Sequence, residues 1–132
     1  MRLLTPVLVL FLATGIGLRP TFSASYPSCN TPLKGWRQAK DGIPHLAIVV
    51  TIALGRNKAL WWNKKAVSWS EFKKLLDASA KGGSNAFWVL EPNSVAECRD
   101  VNEVRREMEK TLTCSKGRCG EGRGIWERKD WH

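Results

Sequence analysis

Large apolar residues alternate with small or β-branched ones along the segment His45–Leu54. They occupy every second position: Leu46, Ile48, Val50, Ile52 and Leu54. Because both faces of such a strand can be buried, the pattern predicts a central β-strand over His45–Leu54. A turn at Gly55–Lys58 and a second strand over Ala59–Asn63 are expected to follow it as a hairpin.

The periodicity then changes from that of a strand to that of a helix. A turn at Asn63–Lys65 precedes a short third strand at Ala66–Val67. Ser68-Trp69-Ser70-Glu71 has the form of a capping box, in which the serine and glutamate side chains bond each other's backbone N–H groups. The predicted helix ends at Gly82-Gly83 and carries an apolar stripe. The stripe consists of Trp69, Phe72, Leu75, Leu76 and Ala80.

The rest of the chain predicts one more strand and one more helix, with a weaker strand at the end. Asn85–Leu90 is apolar and reads as a buried strand that ends before Pro92. Asp100–Leu112 has the spacing of an amphipathic helix. The glycines after Cys114 predict a mobile loop, with a last strand at Gly124–Glu127. This order predicts an α+β fold, a small mixed β-sheet with two amphipathic helices on one face.

The N-terminal segment has the pattern of a secretory signal peptide. Arg2 precedes the uncharged, mostly apolar stretch Leu3–Leu18, and small residues follow it near Ala24. The alternative is an uncleaved membrane anchor, although the stretch is shorter than the about 20 apolar residues of a membrane span. We therefore divide the chain into a signal peptide or anchor (1–24), an irregular lead-in (25–44) and one domain (45–132). The expected location is the periplasm or outside the cell, with an uncleaved leader holding the chain at the inner membrane as the alternative.

In the oxidising compartment of an exported protein, four cysteines indicate two disulfides. Cys98 and Cys114 flank the second predicted helix, about 24 Å apart, which is beyond the reach of a disulfide. Cys114 and Cys119 enclose a turn-like tetrapeptide and can close on each other. Cys29 is then left to pair with Cys98. A single C-x4-C pair without a nearby histidine lacks the ligand spacing of a zinc site.

Basic residues are concentrated in the first half of the domain. The formal net charge is +9, and the segment Lys34–Lys81 holds ten basic and three acidic residues. Such a surface suits an anionic lipid, a cell-wall polymer or a nucleic acid, or it serves solubility alone. Export disfavours nucleic acid as a partner.

Several of these elements together resemble a known family. They are Ile52-Ala53-Leu54-Gly55, Leu60-Trp61-Trp62-Asn63, Val67-Ser68, and the helix residues Phe72 and Leu76. This order over Ile48–Leu76 is similar to that of the periplasmic domain of the ExbD/TolR proteins, and Phe87–Leu90 and Val101–Met108 continue it. The resemblance covers about half of the chain.

The resemblance implies an accessory protein of a proton-driven envelope motor, with a dimeric periplasmic part. Such proteins work with a multi-span partner and a transducer of the TonB or TolA type, some contact peptidoglycan, and none is an enzyme. Two features depart from the family. No acidic residue lies between Met1 and Ala24 to serve a proton path, and Glu91-Pro92-Asn93 stands where an aspartate is usual. We therefore expect a non-catalytic, exported relative that binds or scaffolds, with an envelope protein, a second copy or peptidoglycan as partner.

Trp61, Trp62, Lys64 and Lys65 are the candidate partner surface. Neighbouring strand positions point to opposite faces, so one tryptophan is expected in the core and the other exposed beside the lysines. An exposed indole next to lysines can stack on a sugar or bind a protein, or it can simply cover the sheet. The alternative function is accordingly a secreted, basic, disulfide-stabilised module that binds cell-wall glycan or another polyanion.

Catalytic chemistry has little support in the sequence. His45 and His132 lack the spacing of a catalytic triad, and Glu91 with Glu97 is the one pair of carboxylates that a glycosidase reading can use. Loop glutamates are usually solvated charges. We predict no catalytic residue, no metal site, no cofactor and no small-molecule substrate.

Overall fold

The chain forms two layers, a mixed β-sheet and a pair of helices. The computed structural model describes residues 24–82 and 85–129. The predicted leader therefore lies outside the described residues except for Ala24, as do Gly83 and His132. The strands are β1 (Ile43–Pro44), β2 (Ile48–Leu54), β3 (Leu60–Trp62), β4 (Lys65–Val67), β5 (Ala86–Pro92), β6 (Cys119–Glu121) and β7 (Arg128–Lys129), and the helices are α1 (Trp69–Lys81) and α2 (Cys98–Thr111).

The main sheet has five strands in the order β4-β3-β2-β5-β6, while β1 and β7 pair separately. The β2–β3 and β3–β4 pairs are antiparallel, and β2–β5 and β5–β6 are parallel. Helix α1 connects β4 to β5, and α2 lies between β5 and β6, so each precedes a strand that joins the sheet in parallel. The predicted class, an α+β fold built on a small mixed sheet, is confirmed.

The main core lies between the sheet and the two helices. Phe72 and Leu76 of α1 are fully buried against it, and so are Val101 and Met108 of α2. The sheet contributes alternate residues of β2 and β5: Val50, Ile52, Leu54, Trp88 and Leu90. This is the helix side of the sheet, and the capping box starts α1 on it as the sequence predicts, with Ser68 at the N-cap.

The opposite face of the sheet carries a smaller core. Phe87 and Val89 of β5 are buried there against Ile43 and Ala47, and Trp126 packs on the Phe87 ring with 5.7 Å between ring centroids. Residues of the lead-in and of the C-terminal tail therefore cover part of the face that the helices leave open.

The central strand is shorter than the alternating pattern predicts. It begins at Ile48 instead of His45, and Leu46 and Ile48 are 77% and 67% exposed. The guanidinium Nη1 of Arg128 donates hydrogen bonds to the carbonyls of His45 and Ala47, at 2.9 and 2.8 Å. A tail residue thus takes the carbonyls that a neighbouring strand would have bonded, and the chain turns there.

The glycine-rich tail contains a strand that the sequence did not predict, and Gly124–Glu127 is not a strand. Cys119–Glu121 forms β6 instead, with all three residues buried. A Cβ on Gly120 would lie 2.6 Å from an indole carbon of Trp126 and 2.9 Å from the Phe87 ring. Glycine is required here because two aromatic rings approach the backbone closely. Composition alone does not distinguish such a glycine from one in a loop.

Other boundaries move by a few residues. Strand β5 includes Pro92, and α2 begins at Cys98. Since the Trp88 N–H points to the β6 side, the nitrogen of Pro92 points there too, beyond the end of β6 where no N–H donor is needed. The lead-in is not wholly irregular, because it contains β1.

The structure joins Cys29 to Cys98 and Cys114 to Cys119. This is the pairing that the sequence favours. The first disulfide ties the lead-in to the start of α2, and the second closes the short segment that enters β6. Two disulfides suit an oxidising compartment, which agrees with an exported protein.

Candidate partner-binding surface

The hairpin of β3 and β4 places the four candidate residues at one edge of the sheet. Asn63 and Lys64 form its two-residue turn with positive φ values of 47° and 73°. The Asn63 side chain accepts a hydrogen bond from the Thr51 N–H at 2.8 Å, and the Asn63 N–H donates to the Thr51 carbonyl at 2.8 Å. These two bonds fix the turn against β2 and present Lys64 to solvent.

The two tryptophans lie on opposite faces of the sheet, but neither is fully buried or fully exposed. Trp62 is on the helix side, with its ring 6.3 Å from that of Phe72. Trp61 is on the open side, where its indole packs over Gly55. Both side chains are half-buried. The expectation of one core and one exposed tryptophan is wrong, because the hairpin lies at the rim of the helix layer and Gly55 lets the second indole rest on the backbone.

A groove runs between this hairpin and α1. It has a volume of about 310 Å³. Its lining combines an apolar floor with charged groups at the rim: Trp62, Lys65, Val67, Glu71, Lys74 and Leu75. The sequence prediction found Trp62 and Lys65 but missed the α1 residues, although Lys74 and Leu75 follow Glu71 by one helical turn.

The single acidic side chain of the groove is already used within the fold. The Glu71 carboxylate accepts a hydrogen bond from the Ser68 N–H at 3.0 Å, and the Ser68 hydroxyl accepts one from the Glu71 N–H at 3.1 Å. These bonds hold the pKa of Glu71 below its usual value, and the charges of Lys65 and Lys74 act in the same direction. The rim of the groove is therefore positively charged overall.

The two edges of the main sheet differ. At the β6 edge, the Arg37 N–H donates to the Cys119 carbonyl and the Glu121 N–H donates to the Arg37 carbonyl, both at 2.9 Å. The lead-in thus covers that edge. In the described residues no strand or bridge pairs with the outer side of β4. The edge that carries Lys65 is the open one.

A second row of residues crosses the open face of the sheet. Trp61, Ala53 and Glu91 are register partners on β3, β2 and β5, so the indole and the carboxylate flank a small alanine. Partial burial raises the pKa of the Glu91 carboxyl, although the charges of Arg123 and Lys64 oppose the shift. The row thus places an aromatic and an acidic residue on either side of a small one on the open face.

A buried ion pair was not predicted from the sequence. Arg105 of α2 forms a bidentate ion pair with Glu121 of β6, and both side chains are at most 6% exposed. A cleft of about 300 Å³ beneath Tyr26 borders the pair. Burial raises the pKa of the Tyr26 hydroxyl, and the Glu121 charge adds to the shift. The available signal was the helical spacing, since Arg105 lies four positions after Val101 and three before Met108, on the buried stripe of α2.

The other candidate groups do not come together as a reactive site in the described residues. His45 is exposed in the turn before β2, and Glu97 is bonded to Arg99 at 3.3 Å. Within residues 24–82 and 85–129, no three His, Cys, Asp or Glu side chains are grouped so as to hold a metal ion. All four cysteines are in disulfides, so they offer no thiolate nucleophile.

No protein-family model and no curated protein matches the chain. Among the described helices, neither is long and apolar enough to cross a membrane.

Proposed function

We propose that this protein is an exported, non-catalytic ExbD/TolR-like domain of the cell envelope. In this role it serves as a binding or scaffolding element of a biopolymer transport or energy-transduction system. The two disulfides support a place outside the cytoplasm, and the order of strands and helices supports the resemblance. Its partner is an envelope protein or a second copy of the chain.

The observation that carries this proposal is the open β4 edge beside the basic groove. Lys64 and Lys65 lie there with a half-buried tryptophan, whereas the lead-in covers the opposite edge. An exposed strand edge tends to pair with another chain, and soluble proteins usually cover or charge it. Edge lysines alone can serve that protective purpose. The adjacent groove is not a strand edge, so protection against pairing does not explain it, and it favours a binding role.

A site-specific photo-cross-linker at Lys64 tests the proposal in living cells. We expect it to capture an envelope protein or a second copy, identified by mass spectrometry. The same cross-linker at Lys34, an exposed residue of the lead-in near the opposite edge, is the matched control. Equal capture from both positions, or none from Lys64, would leave the proposed function without its binding surface.

The row of Trp61, Ala53 and Glu91 on the open face favours a second candidate function, a module that binds cell-wall glycan. An indole that stacks on a sugar ring and a carboxylate that accepts from its hydroxyls are common partners of saccharides. Trp61 and Glu91 flank Ala53 in this way, and Lys64 and Arg123 add positive charge. Sedimentation with purified peptidoglycan tests it. We expect Trp61→Ala to abolish binding, and salt to weaken it if the polymer's charge contributes.

A further inference from the structure

The outer side of β4 presents the two backbone groups of one residue. The Asn63 N–H bonds to the Thr51 carbonyl, so the alternation along β3 directs the backbone groups of Trp61 toward β2. Ala66 is the register partner of Trp61 on β4. Its N–H and C=O therefore point away from β3 and into the open edge. A single residue of an added antiparallel strand can bond to both groups.

The side chains on either side of Ala66 point toward the helices. Lys65 and Val67 are the register partners of Trp62 and Leu60, and both Lys65 and Val67 line the groove with Leu75. An added strand would alternate in the same way. The residue opposite Ala66 would face the open side, and its two neighbours would enter the groove. One neighbour would meet Val67 and Leu75, and the other would meet Lys65.

Charge determines what those neighbours should be. Within the described residues, Lys65 and Lys74 form no ion pair, while Glu71 is occupied by the helix cap. The end of the groove near Lys65 thus suits a carboxylate. The end near Val67 and Leu75 suits an aliphatic side chain.

We propose that β4 binds an extended segment of a partner protein as an added antiparallel strand, with the order apolar, any residue, acidic opposite Val67, Ala66 and Lys65. This inference rests on the proposed binding role and names the partner's chemistry. The favoured mode is β-strand addition, in which backbone bonds give affinity and alternate side chains give specificity.

A second copy of the chain suits this edge less well than an acidic segment. Antiparallel pairing of two β4 strands about Ala66 would place Lys65 of each copy opposite Val67 of the other, so neither copy would offer a carboxylate to the other's lysine. The two Lys65 side chains would lie diagonally across the strand pair on the helix side, with like charges as near neighbours. The same cations favour an acidic guest.

Binding of a synthetic peptide to the full, oxidised chain tests the proposal. The probe is an end-capped peptide with leucine, threonine and aspartate at its centre, and its control has the leucine and aspartate exchanged. We expect the probe to bind at least tenfold more tightly than the exchanged peptide, as measured by calorimetry. Equal binding of both peptides, or no binding of the probe, would overturn the proposal.

Variants of the chain locate the site. Ala66→Pro removes the outward N–H, which an edge strand tolerates, and K65E/K74E reverses the rim charge. We expect each variant to bind the probe peptide at least tenfold more weakly. Lys34→Glu, in the remote lead-in, should change the affinity for the probe less than twofold. Unchanged probe affinity in both Ala66→Pro and K65E/K74E contradicts the proposal, as does conversion of a dimer to a monomer by Ala66→Pro, which would assign the edge to a second copy.

The cross-linking experiment separates this inference from the function on which it rests. If Lys64 captures the same envelope protein in the wild-type chain and in Ala66→Pro, the function stands and the strand-addition proposal fails. If Lys64 captures nothing while the probe peptide binds as expected, the edge is a peptide site and the envelope role fails.

Discussion

Arg105 and Glu121 are a charged pair inside a small protein. Their two hydrogen bonds measure 2.6 and 2.5 Å, and the pair links α2 to the edge strand β6. Each charge is almost entirely removed from water, so its favourable interactions depend on the other. Asn102 adds a further bond, because Arg105 Nη1 donates to its side-chain oxygen at 3.0 Å.

We predict that Arg105→Met lowers the free energy of unfolding by about 3–5 kcal/mol, because it leaves the Glu121 carboxylate buried and unpaired. Urea denaturation monitored by tryptophan fluorescence measures the loss. The double variant R105M/E121L removes both charges and should recover most of the stability, since an apolar pair of similar volume often replaces a buried ion pair without cost. A single variant as stable as the double variant would contradict this account.

Glu91 should make a pH-dependent contribution of the opposite sign to that of a salt-bridged acid. Partial burial raises its pKa above the usual 4.5, so the folded state holds the proton more tightly than the unfolded state. The contribution to stability is complete below pH 4.5 and is lost as the pH rises through the folded pKa. We therefore predict that Glu91→Gln is more stable than the wild-type chain at pH 7.

The gain from Glu91→Gln should disappear at pH 4. Thermal or urea unfolding at the two pH values measures it. Glu97→Gln, at the half-buried N-cap of α2, is the control, and its effect on stability should not follow the same course. A Glu91→Gln variant that is destabilised at pH 7 would show that the Arg123 and Lys64 charges outweigh the burial of the carboxyl.

At the scale of elements, local signals located the helices better than the strands. The capping box at Ser68–Glu71 fixes the start of α1 through side-chain bonds that the sequence itself specifies. The end of the alternating pattern at Ile48 depends instead on Arg128, some 80 positions later. Strand β6 was missed because glycine at position 120 is required by two aromatic rings, and these come near it only in the folded chain.

The two disulfides close loops of very different length, and their contributions should differ accordingly. Cys29 and Cys98 are separated by 69 positions, and Cys114 and Cys119 by 5. Loop-closure entropy then predicts a loss of about 4 kcal/mol for C29A/C98A and about 2 kcal/mol for C114A/C119A. Urea denaturation of the two double variants tests the order, and a larger loss from the short loop would contradict it.

At the scale of the molecule, the lead-in and the tail complete a fold that the central segment does not complete alone. The lead-in covers the β6 edge through Arg37, and Trp126 covers Phe87 on the open face. The sequence identified the hairpin residues Trp62 and Lys65 of the candidate surface. It did not identify Lys74 or the open edge, because these depend on how α1 and the sheet pack together.

The Cys29–Cys98 disulfide also makes the fold depend on the compartment in which the chain matures, since it joins the lead-in to α2. We predict that the chain with residues 1–24, expressed in a bacterium, is recovered from the periplasm with no free thiol. A chain lacking residues 1–24 should stay in the cytoplasm with four free thiols. Thiol alkylation followed by mass spectrometry counts them, and the mass also shows whether the leader has been removed. The reduced short chain should unfold at lower urea concentration than the oxidised one, because its unfolded state regains the entropy that both cross-links restrict. Recovery of the full chain in the cytoplasm with four reduced thiols would contradict export and remove the compartment that the envelope role requires.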